Sequence, residues 1–312
     1  MPLEPRVKRF LDILAAGNPA DPRTATVEAR RQGLTALMQM SGPQIQMARV
    51  DAITLPLPHA ALPARVYSPH ADGALLPGLI YFHGGGLVAG SIATHDGIAR
   101  ALADAGGVRV VSVDYRLAPE AHFPAALDDA KSAVEYIAAH CADIGVDPER
   151  LGICGDSAGA TLAAATCQRL ARDGGPRLAL QLLLCPILDY SRKSDSRVRL
   201  ASGYLVDEAT LDHDLQYYLP NGVQPTDPLV SPLLAESVAG LPSTIIHTAE
   251  FDPLRDEGRE YSERLRRANI EVAYTCHPGM IHLFYGLGGV IPYARTAYKQ
   301  IGDEIRAALA AR

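Results

Sequence analysis

Charge of one sign is what this sequence has little of. Its 29 Lys and Arg stand against 35 Asp and Glu, a net charge of −6 over 312 residues. That leaves no basic footprint for nucleic acid or for an anionic membrane surface. Cysteine is scarce as well. The five (Cys141, Cys154, Cys167, Cys185 and Cys276) are odd in number, and no two are spaced C-x-x-C. This argues against a disulfide framework and against a zinc knuckle. Reduced, buried thiols in a cytoplasmic protein are the expectation. Long hydrophobic runs are also missing. The longest, Leu178 to Leu188, is interrupted by Gln181 and Pro186 and is too short to span a bilayer. The basic N-terminus (Arg6, Lys8, Arg9) leads into an apolar stretch that Asp12 breaks, so no export signal is read there. The 23 Pro and 27 Gly follow no period, which excludes collagen-like and linker arrays.

What is present is a composition of 48% hydrophobic and 21% charged residues, enough to bury a large core without staples. Val7, Phe10, Leu11 and Leu14 recur at helical spacing on one face. A second helical pattern covers Thr26 to Met40. Together they make residues 1–48 an expected pair of N-terminal cap helices. From residue 49 to 312 the texture differs. Short apolar, β-branched runs fall at Ala64–Ser68, Gly78–Phe82, Val108–Val113, Leu151–Cys154, Leu178–Leu184, Ser243–Ala249 and Glu271–Cys276. Helical patterns separate many of them: Asp96–Ala105, Ala125–Ala139, Ala158–Arg172, Asp256–Ala268 and a last one near Tyr293–Ala311. Such alternation predicts an α/β fold, a mostly parallel central sheet with helices on both faces. The stretch at about 190–221 breaks the alternation, charged at first and helical from Asp207 to Leu219. It reads as an insertion lying over one end of the sheet with the N-terminal helices, where a lid over the ligand crevice belongs.

Two motifs carry chemistry. Gly155-Asp156-Ser157-Ala158-Gly159 follows an apolar strand and opens a helix, the context in which G-x-S-x-G makes a nucleophile elbow. The turn is so tight that glycine is needed on both flanks. The helix N-terminus beneath the serine favours developing negative charge. His83-Gly84-Gly85-Gly86 follows another strand, and successive glycines let backbone N–H groups turn toward one point, as an oxyanion hole requires. A dinucleotide fingerprint is the rival reading of Gly84-x-Gly86-x-x-Ala89 with Asp114. That motif needs its helix to begin at the glycines, whereas the helical pattern here begins only near Thr94–Asp96.

A serine nucleophile needs a base and a group that orients the base, and this architecture supplies them in the order Ser, acid, His. The loop after Ser243–Ala249 offers Asp252 and Asp256; that after Glu271–Cys276 offers His277 and His282. Spacing alone admits either acid and either histidine. Asp256 reads better as a cap of the helix after it, and His277 still belongs to the strand end. Order and spacing therefore favour Ser157, Asp252 and His282.

These residues resemble the bacterial hormone-sensitive-lipase-like (family IV) esterases of the α/β-hydrolase superfamily. The resemblance is carried by His83 to Gly86, Asp114-Tyr-Arg-Leu-Ala-Pro-Glu120 with Phe123-Pro124-Ala125-Ala126, Gly155 to Gly159, Asp252-Pro-Leu-Arg-Asp-Glu-Gly258 and Gly279-Met-Ile-His282. It implies an α/β-hydrolase fold with a helical cap, Ser157 as nucleophile, Asp252 as acid and His282 as base. It also implies an oxyanion hole from the N–H groups of Gly85, Gly86 and Ala158, with His83 and Asp156 mainly structural. Leu87 stands where the family usually carries an aromatic residue, Ala160-Thr161 replaces the commoner glycine-rich pair, and tryptophan is absent. These departures bear on the shape of the substrate site. Leu87, Tyr204 and Leu205 are its expected lining.

The resulting expectation is a carboxylic-ester hydrolase for short- to medium-chain acyl esters, with no cofactor and no metal. Its partner is a small-molecule ester, without nucleic acid or membrane, and a homodimer is left open. The same machinery acting on an amide, lactone or carbamate is the nearest alternative. A non-catalytic homologue that binds a small molecule is weaker, because plant gibberellin receptors resemble this family but lack the histidine present here as His282. Asp212-His213-Asp214 and the basic run at 192–199 are read as solvated surface.

Overall fold

The computed structural model of the chain describes residues 2–17, 21–71 and 75–310. Among the described residues, eight strands form one sheet in the order β1-β2-β4-β3-β5-β6-β7-β8. They are β1 (Arg49–Pro56), β2 (Ala61–Ser68), β3 (Leu76–Phe82), β4 (Arg109–Val113), β5 (Val146–Asp156), β6 (Leu180–Leu184), β7 (Ser243–Phe251) and β8 (Val272–Ile281). β2 runs antiparallel to both β1 and β4, and every pairing from β4 through β3 to β8 is parallel.

The parallel strands are apolar on both faces because both are covered. Successive side chains of a strand point to opposite faces. Leu79 and Tyr81 thus join Val110, Cys154, Leu182 and Ile245 in a cluster under α3 (Asp96–Gly106) and α9 (Tyr293–Ala308). Ile80 and Phe82 join Val111, Ile153, Leu183 and Ile246 under α4 (Ala125–Ala139), α5 (Ala158–Asp173) and α8 (Arg255–Arg267). The last helix was expected to reach Ala311, which lies outside the described residues.

Two elements depart from the expectation. β1 was not anticipated: as an edge strand it alternates polar and apolar residues, leaves Arg49 and Val50 exposed, and ends in Pro56. The charged run at 192–199 is not wholly a solvated loop. It forms the short helix α6 (Asp195–Arg199), in which Ser196 and Arg197 are buried.

Helices α1 (Pro5–Ala16), α2 (Val27–Met38), α6 and α7 (Glu208–Tyr218) gather around the carboxyl ends of the strands. α1 buries Val7 and Phe10 in the cluster that contains Met280 and Ile281, and the Glu4 N–H donates to the Gly279 carbonyl at 3.1 Å. α2 reaches the loop after β3, with Arg31 Nε donating to the Val88 carbonyl at 2.9 Å. α6 sits on the loop after β7: the Ser196 hydroxyl donates to the Pro253 carbonyl at 2.7 Å, and its amide to Asp256 at 2.9 Å. Among the described residues no helix is long and apolar enough to cross a membrane.

Candidate active site

Ser157 closes β5 and opens α5 with φ 53° and ψ −121°, a conformation that L-residues adopt only when their surroundings enforce it. The enforcement is visible at its flanks. A β-carbon on Gly155 would run into the backbone of Gly159, and one on Gly159 into the carbonyl oxygens of Phe82 and His83. The elbow therefore tolerates nothing larger at either position. The same close approach sets the first turn of α5, with the Ala158 amide, beside the glycine loop that follows β3.

His282 Nε2 lies 3.0 Å from Ser157 Oγ, and His282 Nδ1 lies 2.8 Å from Asp252 Oδ2. Asp252 follows directly on β7 and His282 directly on β8. The other oxygen of Asp252 accepts the Leu254 amide at 2.9 Å. With Nδ1–H donating to the carboxylate, Nε2 turns its lone pair to the serine hydroxyl. Relative exposures of 9% for Ser157, 0% for Asp252 and 3% for His282 keep this chain of hydrogen bonds away from bulk water, where screening would weaken it.

The rival acid and base are occupied elsewhere. Asp256 does not cap α8, whose N-cap is Leu254; its carboxylate accepts from Ser196 of α6 and from Arg255 Nε at 3.0 Å. His277 lies inside β8, sharing a 2.8 Å hydrogen bond with His247 Nδ1 and a 3.3 Å contact with the Tyr293 hydroxyl. Burial, reinforced by His247, pushes its imidazole down to about 3, so it stays neutral.

The glycine loop is held from below. Asp156 Oδ1 accepts the Gly84 amide at 2.9 Å and the Tyr81 hydroxyl, and the Tyr115 hydroxyl donates to the His83 carbonyl at 2.7 Å. The His83 ring stacks between Tyr115 and His95, with centroids 4.5 and 5.2 Å away. Burial drives both histidines down to about 4 and pushes the Asp156 carboxyl up. Gly85 and Gly86 take φ of 120° and 68°, a region that glycine enters without steric cost. The helix that follows this loop in the chain, α3, begins only at Asp96, so the glycines do not open their own helix as a dinucleotide fingerprint needs.

Leu87 leaves the loop at φ 64° with its side chain 1% exposed in the cluster that includes Ile187, Leu188 and Leu211. Tyr204 stacks on Phe251 with centroids 5.6 Å apart, and with Leu205 it packs against the cluster holding Val7, Phe10, Cys185 and Leu283.

Several residues at the site escaped the sequence reading. His213 and Asp214 are not a solvated face: they are 7% and 3% exposed. Arg30 Nε and Nη2 donate to Asp214 at 3.0–3.2 Å, and His213 Nε2 bonds the Ala25 carbonyl at 2.9 Å. Arg197 is buried against Glu257 at 3.1 Å. Glu257 also accepts the amides of Leu188 and Asp189 at 2.7 and 3.0 Å. Burial pushes the Glu257 carboxyl up to about 7 even though Arg197 pulls it back. All these pairs join segments far apart in the chain, and no local pattern marks them. Cys185, Asp252 and His282 bring their ligating atoms within 4.8 Å of one another. Two of the three are engaged in the hydrogen-bond chain, and burial and Asp252 hold the Cys185 thiol well above its ordinary value, which disfavours the thiolate that binds metals.

A serine on a strained strand-to-helix turn, an acid and a histidine at the ends of later strands, and a glycine loop beside them define a serine hydrolase of α/β-hydrolase architecture. The chain belongs to the α/β-hydrolase-fold family whose family model matches residues 79–286, in its hormone-sensitive-lipase-like branch. It is 40% identical to the carboxylic ester hydrolase LipN of Mycobacterium tuberculosis over 84% of this chain and 71% of that one. It is 34% identical to an arylesterase of Saccharolobus solfataricus over 92% and 93% of the two chains. Among solved structures, an ester-hydrolase from the metagenome of Lake Arreo, complexed with a bipyridine phosphonate derivative, superposes with a TM-score of 0.95. The two are 37% identical over 99% of this chain and 100% of that one.

Proposed function

We propose that the chain hydrolyses carboxylic esters of short to medium acyl length through an acyl-enzyme on Ser157. The observation that carries the reading is the chain of hydrogen bonds from Ser157 Oγ through His282 to Asp252, at 3.0 and 2.8 Å. Ser157 Oγ attacks the ester carbonyl as His282 Nε2 takes its proton, while Asp252 holds the imidazole in the required tautomer and offsets its charge. The carbonyl π-electron pair moves onto oxygen, and the N–H groups of Gly85, Gly86 and Ala158 receive that oxyanion. Collapse breaks the ester C–O bond, and the leaving alkoxide takes the proton from His282. Water, deprotonated by His282, then attacks the acyl-enzyme, and the second collapse frees the acid and returns the proton to Ser157. No step calls for a metal or a cofactor.

Residues 1–48 and the segment at about 190–221 are, on this reading, a cap. Val7, Phe10, Leu11 and Leu14 from α1 with Tyr204, Leu205 and Leu211 from the insertion bound the space for the acyl chain, and Leu87 lines it from the sheet side. Each methylene that fits contributes up to about 0.8 kcal/mol through burial, until the space ends. Measured kcat/KM on nitrophenyl esters is expected to climb from acetate to a maximum at short or medium chains and then fall. Preference for emulsified long-chain triglyceride over soluble short esters would overturn the acyl-length reading. Loss of all turnover in a Ser157-intact enzyme would overturn the ester reading itself.

A further inference from the structure

One side chain of the covering helices reaches the backbone of the site. A β-carbon placed on Gly86 would fall on the carboxylate of Asp214, so that carboxylate fills the space beside the very amide assigned to the oxyanion. Asp214 is 3% exposed and comes from α7. A bare negative charge there opposes the negative charge that develops on the substrate oxygen. Inside a protein such a repulsion at a few ångströms exceeds its value in water several-fold. The structure supplies a counter-charge from a third element: Arg30 of α2, donating through Nε and Nη2 at 3.0–3.2 Å.

We propose that Arg30 is a positioning residue of the reaction, which neutralises the Asp214 carboxylate so that the oxyanion forms beside a compensated pair and not beside a bare charge. The inference rests on the reading that the Gly86 N–H helps to bind the oxyanion. The groups facing Asp214 are few. Arg30 approaches from α2, His213 on its own helix lies 3.7 Å away through Nδ1, and Tyr190, after β6, lies within electrostatic reach. On the glycine loop the ionisable group is His83, which burial lowers to about 4 and so keeps neutral. Burial raises the Asp214 carboxyl and Arg30 draws it back down, the direction expected if Arg30 is what keeps the carboxylate ionised.

The chemical consequence appears in the addition step. Ser157 Oγ bonds to the carbonyl carbon, its proton passes to His282, and the π-electron pair becomes a full charge on oxygen next to Gly86. Arg30→Met leaves Asp214 uncompensated and is expected to lower kcat roughly 10- to 100-fold with little change in KM. Arg30→Lys keeps a positive charge at the same place and should retain most of the rate. Adding Asp214→Asn to Arg30→Met removes the opposing charge without altering the shape that Gly86 accommodates, and should recover most of the loss. A strap that merely ties α2 to α7 behaves differently. The double variant would then be no faster than Arg30→Met, and that result overturns the proposal. The pH profile gives a second arm. Arg30→Met should lose rate as pH rises through the Asp214 ionisation, a falling limb absent from the wild type and from the double variant.

The decisive measurement uses a trifluoromethyl ketone labelled with 13C at the carbonyl, which Ser157 converts to a hemiketal that models the tetrahedral intermediate. Its hydroxyl pKa is read by 13C NMR titration in folded samples verified by near-UV circular dichroism. A value below that of the free hydrate in the wild type, raised by about one unit or more in Arg30→Met (tenfold in the ionisation constant) and restored in the double variant, is the expected result. A lowered value in the wild type that Arg30→Met leaves untouched overturns the role of Arg30 alone. A wild-type value no lower than that of the free hydrate overturns the oxyanion assignment, and the proposal with it.

Discussion

Gly159 and Gly86 lie close to Ser157, and both exclude a β-carbon, but for different reasons. At Gly159 the obstacles are main-chain carbonyls of Phe82 and His83; at Gly86 the obstacle is the side chain of Asp214, on a helix far along the chain. Around Ser157 the backbone constrains itself through main-chain neighbours. Where the covering helices meet the glycine loop, charged side chains from separate segments set the fit: Arg30 with Asp214, Arg31 with Glu120. On the β7 side Arg197 with Glu257 does the same. A site assembled by backbone geometry varies little with side-chain changes elsewhere. One whose cover is held by ion pairs can be retuned by single substitutions. On the proposed mechanism the first region carries the chemistry, and the second is where selectivity has room to change.

The largest effect belongs to the backbone-built region. Ser157→Ala or His282→Ala should lower kcat on nitrophenyl esters by roughly four to six orders of magnitude, and Asp252→Asn by about four. Combining them should add almost nothing, because the three act as a unit. His277→Ala and Asp256→Asn should leave kcat within about tenfold, since the first bonds His247 and the second holds α6. An acylation burst that survives in His282→Ala but vanishes in His277→Ala would reverse the assignment of the base.

Stability separates the two glycines. Gly159→Ala meets main chain with nowhere to move and should cost roughly 3–5 kcal/mol by denaturant midpoint. Gly86→Ala carries about 1–2 kcal/mol for the left-handed backbone plus the collision with Asp214. Adding Asp214→Ala should recover the collision and leave the backbone cost. If the double variant recovers nothing, Asp214 is not what confines Gly86, and the contrast between the regions fails there.

Three buried histidines sharpen the sheet-borne side of the comparison. His83 and His95 are held at about 4 and His277 at about 3, against 6.5 for a free imidazole. A histidine whose folded value is depressed binds fewer protons folded than unfolded between the two values. Its contribution is therefore present above pH 6.5 and lost as pH falls through that window. At pH 5 each contributes about 2 kcal/mol less than at pH 7. The melting temperature should drop from pH 6.5 toward 5, with a denaturant-midpoint slope near pH 5 equivalent to about two protons taken up on unfolding, because Glu257, held at about 7, releases one on unfolding and offsets part of the three histidines' uptake. A flat profile over that range would mean that these rings are already charged in the folded protein.

Legibility followed the same division. The elbow and the glycine loop were readable because each is a run of residues adjacent in sequence, and the parallel strands, with the positions of Asp252 and His282 directly after two of them, because burial on both faces writes continuous apolar runs. β1 was not readable, since an edge strand half open to water alternates without an apolar run. The burial of Asp214 and Arg197 was not readable either. Taken alone, Asp212-His213-Asp214 and the run from Arg192 have the composition of a solvated surface. Only the partners Arg30 and Glu257, supplied by other segments, make their burial tolerable.

The smallest effect tests whether every ion pair of the cover matters equally. Arg31 donates through both terminal nitrogens to Glu120 at 2.8 and 2.6 Å, but it also donates to the carbonyls of Val88 at 2.9 Å and Ala118 at 3.2 Å. The Arg31 hydrogen bond holds the Glu120 carboxyl down at about 2, so the pair's contribution exists above the ordinary 4.5 and is lost as pH falls toward 2. Glu120 is 63% exposed in its side chain, and water screens most of that shift. Glu120→Gln should therefore cost no more than about 0.5 kcal/mol at neutral pH, a change of about 1–2 °C in melting temperature that shrinks further at high salt. Arg31→Met should cost more, about 1–2 kcal/mol, because it strands two main-chain carbonyls of the loops beneath. If the two variants prove equal, the ion pair and not the carbonyl contacts holds α2 in place. The surface charge of Glu120 would then belong with Asp214 among the groups that set the cover.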